Sequence, residues 1–164
     1  MDNMDDYKDQ FKDHDFFYCC LGSKVGRGKE LFLKVDYHYP LYFADLAISV
    51  GAKAYFLVSS IGAKSTSWNF YLETKGKVEA DMKSKDHKNL IILRPGGLTG
   101  RKNGGCTDCI AAVFCCFPKN TLENVAKCMI MCSQNILKDD STGIDEMMNA
   151  TAINKEAGRY GNKE

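Results

Sequence analysis

Ala54-Tyr-Phe-Leu-Val-Ser-Ser60-Ile-Gly-Ala-Lys-Ser-Thr-Ser-Trp-Asn-Phe-Tyr71-Leu-Glu-Thr-Lys75 decides how the rest of the chain is read. Its first six residues lack polar alternation, as expected of a strand buried on both faces of a parallel sheet. The Ser59-Ser60 pair falls at the carboxyl end of that strand, where ligands bind in open α/β sheets. Tyr71 and Lys75, four apart, share one face of the helix that follows. A lysine ammonium beside a phenol favours the charged form of the phenol and makes it a usable proton donor near neutral pH. A serine hydroxyl at the strand mouth would hydrogen-bond the same substrate oxygen and hold it for hydride arrival. The order of groups points to carbonyl reduction, with phenol and amine aimed together into a groove above the sheet.

Working outward, Asp15-Phe-Phe-Tyr-Cys-Cys-Leu21 is a second apolar run, closed by Gly22-Ser23. Apolar positions Tyr39, Phe43, Leu46, Ala47 and Val50 then recur at helical spacing, predicting a helix over 36–50 with Asp36 as N-cap and Pro40 in its first turns. Asn69 to about Lys85 reads as a helix carrying Tyr71 and Lys75. Asn89-Leu-Ile-Ile-Leu93 is a third two-face apolar strand ending in Arg94-Pro95-Gly96-Gly97. Strand and helix alternate over the first hundred residues, which predicts a parallel sheet with right-handed crossovers. A polar loop (100–108) and an apolar patch (110–117) follow. Asn120 with Glu123 resembles a capping box for a helix to about Leu137, and a short helix is expected over Ala150–Arg159. No repeat or linker divides the chain.

The 164 residues suffice for one domain with a sizeable core. At 45% hydrophobic and 26% charged they describe neither a disordered tail nor a membrane span. With 22 basic against 21 acidic residues, scattered along the chain, the electrostatic footprint of a nucleic-acid binder is missing. The acidic amino terminus does not read as a secretory signal, so cytoplasmic residence is expected. Of eight cysteines, Cys19, Cys20, Cys115, Cys116, Cys128 and Cys132 lie in apolar patterns, as reduced thiols acting as small hydrophobes do. Cys106-x-x-Cys109 with Cys115-Cys116 has the ligand types of a zinc site, but the second pair is adjacent and apolar in context, and no metal is expected. His14, His38 and His87 do not cluster.

The residues resemble a known family. Asp5-Asp6-Tyr7, His14-Asp15, Cys19-Cys20-Leu21-Gly22, Val35-Asp36, Leu57-Val58-Ser59-Ser60, Gly62-Ala63, Lys75-Gly76, Val78-Glu79 and Arg94-Pro95-Gly96 follow, in order, the pattern of the atypical short-chain dehydrogenase/reductases related to the HIV Tat-interactive protein oxidoreductases. The likeness covers residues 5 to 100 well and 120 to 160 loosely. It implies a partial Rossmann-like, doubly wound parallel sheet, the carboxyl-terminal half of an NAD(P)-binding α/β fold. Residues 1–164 would form a single truncated domain, with about 100–164 as its substrate-side extension.

The resemblance further implies NADP as cofactor and a small carbonyl compound as substrate. Tyr71 would be the acid, Lys75 would also bond the nicotinamide ribose, and Ser60, with Ser59 close behind, would orient substrate. Cys20, Leu21 and Gly22 would line the cofactor groove, and Arg94, Pro95, Gly96 and Gly97 would lie beside the nicotinamide. The family's glycine-rich phosphate cradle has no counterpart among these residues, since Gly22, Gly26 and Gly28 are not spaced G-x-G-x-x-G. The expectation is therefore a chain that enters the fold after its first three strands, with weakened cofactor binding and β-strand 15–21 left as an open apolar edge. The alternative is a non-catalytic regulatory protein with transcription, nuclear-import or apoptosis partners, present also in the nucleus, or an inactive fragment.

Overall fold

The structure, a computed structural model, describes residues 4–100, 118–140 and 142–160. The cysteine-rich stretch 106–116 and the apolar patch around it lie outside the described residues. Four parallel strands, β1 (Phe16–Cys19), β2 (Ala54–Val58), β3 (Asn89–Arg94) and β6 (Ile144–Asn149), lie side by side in the order β1-β2-β3-β6. Between the last two in sequence, β4 (Leu98–Thr99) and β5 (Asn120–Thr121) form a small parallel pair. The register is in step across the sheet, with Tyr18 opposite Phe56 and Phe56 opposite Ile91.

Alternation along each strand splits the core in two. Phe17, Cys19, Tyr55, Leu57, Leu90 and Ile92 face helices α2 (Tyr39–Ser49) and α3 (Phe70–Lys83), where Ala44, Leu46, Ala47, Val78 and Met82 meet them. Ala54, Phe56, Ile91, Leu93 and Met148 face α4 (Leu122–Asp139) and α5 (Ala150–Ala157), packing on Val125, Cys128, Met129, Cys132, Ile136 and Ile153. The doubly wound, Rossmann-like parallel sheet expected from the sequence is the observed fold. The crossover beyond the first hundred residues, for which the sequence carries no expectation, differs in hand from the two before it. All three crossovers step the same way across the sheet, yet α2 and α3 lie on one face and α4 on the other, so the third crossover has the opposite hand to the first two.

The helix expected to begin at Asp36 begins earlier. Helix α1 (Lys29–Leu33) runs into a π-helical turn (Lys34–His38) that leads directly into α2. Pro40 explains the wide turn: it has no N–H to offer the carbonyl four residues back, and its ring crowds that carbonyl, which belongs to Asp36. Asp36 is thus no cap but a buried residue in the distorted turn. Asn120 is likewise not the α4 cap. Thr121 fills that role, accepting from Asn124 N–H at 3.0 Å, while Asn120 is wholly buried and ties Gly96 to Ala150 and Asn154.

Strand β6 was not foreseen, because an edge strand with one buried side chain, Met148, carries almost no apolar signal. Cys19, Cys128 and Cys132 are buried free thiols as expected, the latter two against the Met148 sulfur at 3.5 and 3.8 Å, but Cys20 is exposed just beyond the end of β1.

Candidate functional site at the strand exits

Because β1, β2 and β3 are parallel, their carboxyl ends open at one edge of the sheet, and Cys20–Gly22, Ser59–Ser60 and Pro95–Gly97 follow directly on those ends. The β2 exit is fixed to the β3 exit by two backbone bonds, Ser59 N–H to Leu93 O at 2.7 Å and Ile61 N–H to Pro95 O at 3.0 Å. Both serines are buried. Ser60 Oγ donates to the Ile61 carbonyl at 3.2 Å, whereas Ser59 Oγ is buried with no hydrogen-bond partner among the described residues.

Helix α3 is capped by Asn69, whose Oδ1 accepts from Leu72 N–H at 3.2 Å. The loop after the serines runs along its first turns: Lys64 N–H donates to Leu72 O at 3.1 Å, and Gly76 lies against the backbone of Lys64 and Ser65. This docking brings the serine loop alongside the helix segment that bears Tyr71 and Lys75. Tyr71 is half-buried, its ring 5.7 Å from that of the fully buried Phe32, and its hydroxyl has no hydrogen-bond partner among the described residues.

Lys75 departs from the expectation of an amine open to a groove. Its side chain is 5% exposed, and Nζ stands 2.8 Å from Oδ1 of Asp36. The other oxygen of Asp36 accepts the Ser23 N–H at 2.7 Å, tying this ion pair to the loop that leaves β1 through Cys20, Leu21 and Gly22. One turn beyond Lys75, Glu79 is also buried and binds Arg94 at the β3 exit through Nε at 2.9 Å. The Arg94 side chain is therefore committed within the protein, and so is backbone after it: Pro95 O accepts the Ile61 N–H, Gly96 N–H donates to Asn120 Oδ1 and Gly97 O accepts the Asn120 N–H. Gly96 admits no side chain, since a Cβ there would stand 2.0 Å from Pro118 O.

The inner stripe of α3 thus reaches the loops that leave three of the four strands: β1 through the Lys75–Asp36 pair, β2 through Leu72 and Gly76, β3 through Glu79. Reading the sequence alone missed Asp36 as a site residue. The available signal is an acid inside the apolar helical run Val35-Asp36-Tyr37, a position that by sequence reads equally as a helix cap. Two clefts lie away from this edge. One, of about 220 Å³, is lined by Ala47, Gly51, Tyr55 and His87, and the other, of about 280 Å³, by Cys132, Glu146, Met148 and Arg159.

An open parallel sheet wound on both faces, with polar residues converging at its strand exits, defines a Rossmann-type α/β protein. Solved structures share this fold at low identity. A putative NAD-dependent epimerase/dehydratase from Bacillus halodurans superposes with a TM-score of 0.64 at 18% identity, over 93% of this chain and 73% of that one. A UDP-N-acetylglucosamine 4-epimerase from Methanobrevibacter ruminantium superposes with a TM-score of 0.65 at 16% identity, over 91% and 59%.

Among curated proteins, the mitochondrial protein FMP52 of Meyerozyma guilliermondii is 34% identical over 91% of this chain and 70% of its own length. Rat HTATIP2 is 39% identical over 59% of this chain and 40% of its own length. The chain belongs to the family of FMP52 and HTATIP2, the short-chain dehydrogenase/reductase-like group that the motifs resemble. No family model matches it. It spans well under half the length of several relatives, 33% for FMP52 of Debaryomyces hansenii. The expected cytoplasmic or nuclear residence is corrected by these relatives: the FMP52 proteins are named mitochondrial, which points to the mitochondrion. Among the described residues no helix is long and apolar enough to cross a membrane.

Proposed function

We propose that this chain carries the catalytic half of a nicotinamide-dependent oxidoreductase that reduces a small carbonyl compound, with NADP as the cofactor. Tyr71 donates the proton to the carbonyl oxygen. Lys75, whose ammonium is ion-paired with Asp36 and carries three donors, bonds the nicotinamide ribose. Ser59 and Ser60 orient the substrate oxygen. Of the two, Ser59 is favoured: it continues the β2 alternation onto the face of Tyr55 and Leu57, the face that α3 covers, and its hydroxyl is unpaired. Backbone at Cys20, Leu21 and Gly22 and at Pro95, Gly96 and Gly97 would line the groove, with Arg94 holding the second segment through Glu79. When bound, the cofactor supplies the hydride. Its nicotinamide end fits the residues present, which include an unpartnered serine hydroxyl and a buried ammonium at the strand exits.

The observation that supports this reading is the docking of the loop after the serines along α3, Lys64 against Leu72 and Gly76, the helix segment that bears Tyr71 and Lys75. Titrating NADPH into the purified chain while following nicotinamide fluorescence tests it. A saturable signal at submillimolar cofactor, lost in Lys75→Ala, supports the proposal, and a flat titration removes the enzyme reading for this chain.

One observation favours a second reading, a non-catalytic partner of a regulatory protein. Strand β1 is the edge of the described sheet, with Tyr18 39% exposed and Cys20 exposed just beyond it. Such an edge is a template for pairing with another chain. A flat NADPH titration together with a stable stoichiometric protein complex would favour it.

A further inference from the structure

We infer that Asp36 is a positioning residue, one that holds the Lys75 ammonium in place and links it to the loop leaving β1; its role in cofactor binding rests on the reading of Lys75 proposed above. Asp36 is 1% exposed and Lys75 4%, so neither charge has water as its main partner. A buried carboxylate persists only when paired and hydrogen-bonded, and Asp36 is both: Oδ1 lies 2.8 Å from Lys75 Nζ and Oδ2 accepts the Ser23 N–H at 2.7 Å.

The local backbone is built for this. Pro40 cannot bond the Asp36 carbonyl, and the chain opens there into the π-turn 34–38, a distortion that recurs at functional sites. From that turn two successive side chains reach α3, Asp36 to Lys75 and the Tyr37 hydroxyl to Asp81. Gly22 brings the β1 exit against the same carboxylate, its Cβ direction pointing 3.7 Å from Oδ1. A long flexible lysine would otherwise sample many rotamers. Here one carboxylate fixes the ammonium with one oxygen and the cofactor-side loop with the other, so displacement of residues 20–23 is felt at Lys75.

Two measurements on the full chain test this. A lysine-selective ¹⁵N–¹H spectrum of the wild type is expected to contain a slowly exchanging ammonium signal, assigned by its loss in Lys75→Met. It should vanish in Asp36→Asn while the Ser23 amide stays protected, because asparagine still accepts that bond. In the NADPH titration, Asp36→Asn and, separately, Ser23→Pro, which removes the bonded N–H, should each weaken binding about tenfold. Asp36→Glu serves as the conservative comparison, with partial recovery expected.

A folded Asp36→Asn that keeps the ammonium signal overturns the inference, and so does one that binds NADPH as the wild type does. If the wild type binds no NADPH, the proposed function fails by itself, and the spectrum alone decides whether Asp36 positions Lys75. If Asp36→Asn does not fold, loss of the Ser23→Pro effect on NADPH binding is the overturning result.

Discussion

Arg94 and Glu79 meet as a fork, Arg94 Nε donating to Oε1 at 2.9 Å and to Oε2 at 3.2 Å while Nη2 reaches Oε2. The pair pins the β3 exit to α3 one turn past Lys75. Glu79 is 3% exposed but the Arg94 side chain keeps 26%, which places the cost of breaking the pair between the extremes. Exposed pairs contribute about 0–1 kcal/mol, and removing one partner of a fully buried pair costs about 3–5. Glu79→Ala is expected to cost about 2 kcal/mol in urea unfolding, and Glu79→Gln, which keeps a hydrogen-bond acceptor, clearly less. Equal losses for the two variants would mean that charge pairing plays no part.

Gly76 sets the distance between α3 and the serine loop. A Cβ built there stands 2.2 Å from the carbonyl carbon of Lys64 and 2.2 Å from the nitrogen of Ser65, both backbone atoms that cannot rotate away. Gly→Ala inside a helix ordinarily gains about 1 kcal/mol of propensity. Overpacking against fixed backbone costs about 1–3 kcal/mol or more, and here it wins. Gly76→Ala should lower the unfolding midpoint and also weaken the NADPH signal, because the serine loop must shift. A variant more stable than the wild type would show that the loop yields freely.

The strands and helix that build the candidate site were legible because burial on two faces leaves an unbroken apolar run, and β2, β3 and α3 fell within a residue or two of expectation. What escaped the sequence is pairwise. Asp36 looks like a helix cap until Lys75, 39 positions later, arrives beside it, and Asn120 looks like one until it is seen bonded to Gly96 and Asn154. Strand β6 escaped for a different reason: it pairs with β3 by backbone, from Asn89 opposite Ile144 to Arg94 opposite Asn149, with little side-chain burial to betray it. The burial of Lys75 escaped too, since helical spacing places residues on a face without saying what covers that face.

The proposed proton donor has its own test. Tyr71→Phe removes the hydroxyl while keeping the ring against Phe32, so fold and NADPH affinity should stay near wild type. Reduction across a panel of small aldehydes and ketones, read as NADPH consumption, should fall by about 10²-fold or more. Ser59→Ala should lower the same rate by a larger factor than Ser60→Ala, whose hydroxyl is turned to the Ile61 carbonyl. The reverse order would return substrate orientation to Ser60.

At the opposite end of the strands, His87 sits 5.5 Å from the ring of Tyr55, and its Nε2 is buried with no hydrogen-bond partner among the described residues. Burial holds its pKa below the ordinary histidine value, the Lys85 ammonium pushes the same way, and Asp45, Asp86 and Asp145 oppose them only in part. The folded state therefore takes up the proton less readily than the unfolded chain. Above about pH 6.5 neither state is charged at this site and His87 costs nothing. As pH falls below that value the unfolded chain protonates first, so stability declines until the folded-state pKa is passed. Unfolding free energies measured from pH 7.5 down to 5.5 should fall for the wild type and fall less steeply for His87→Phe. Parallel curves for the two proteins would assign the acid sensitivity to the paired carboxylates instead.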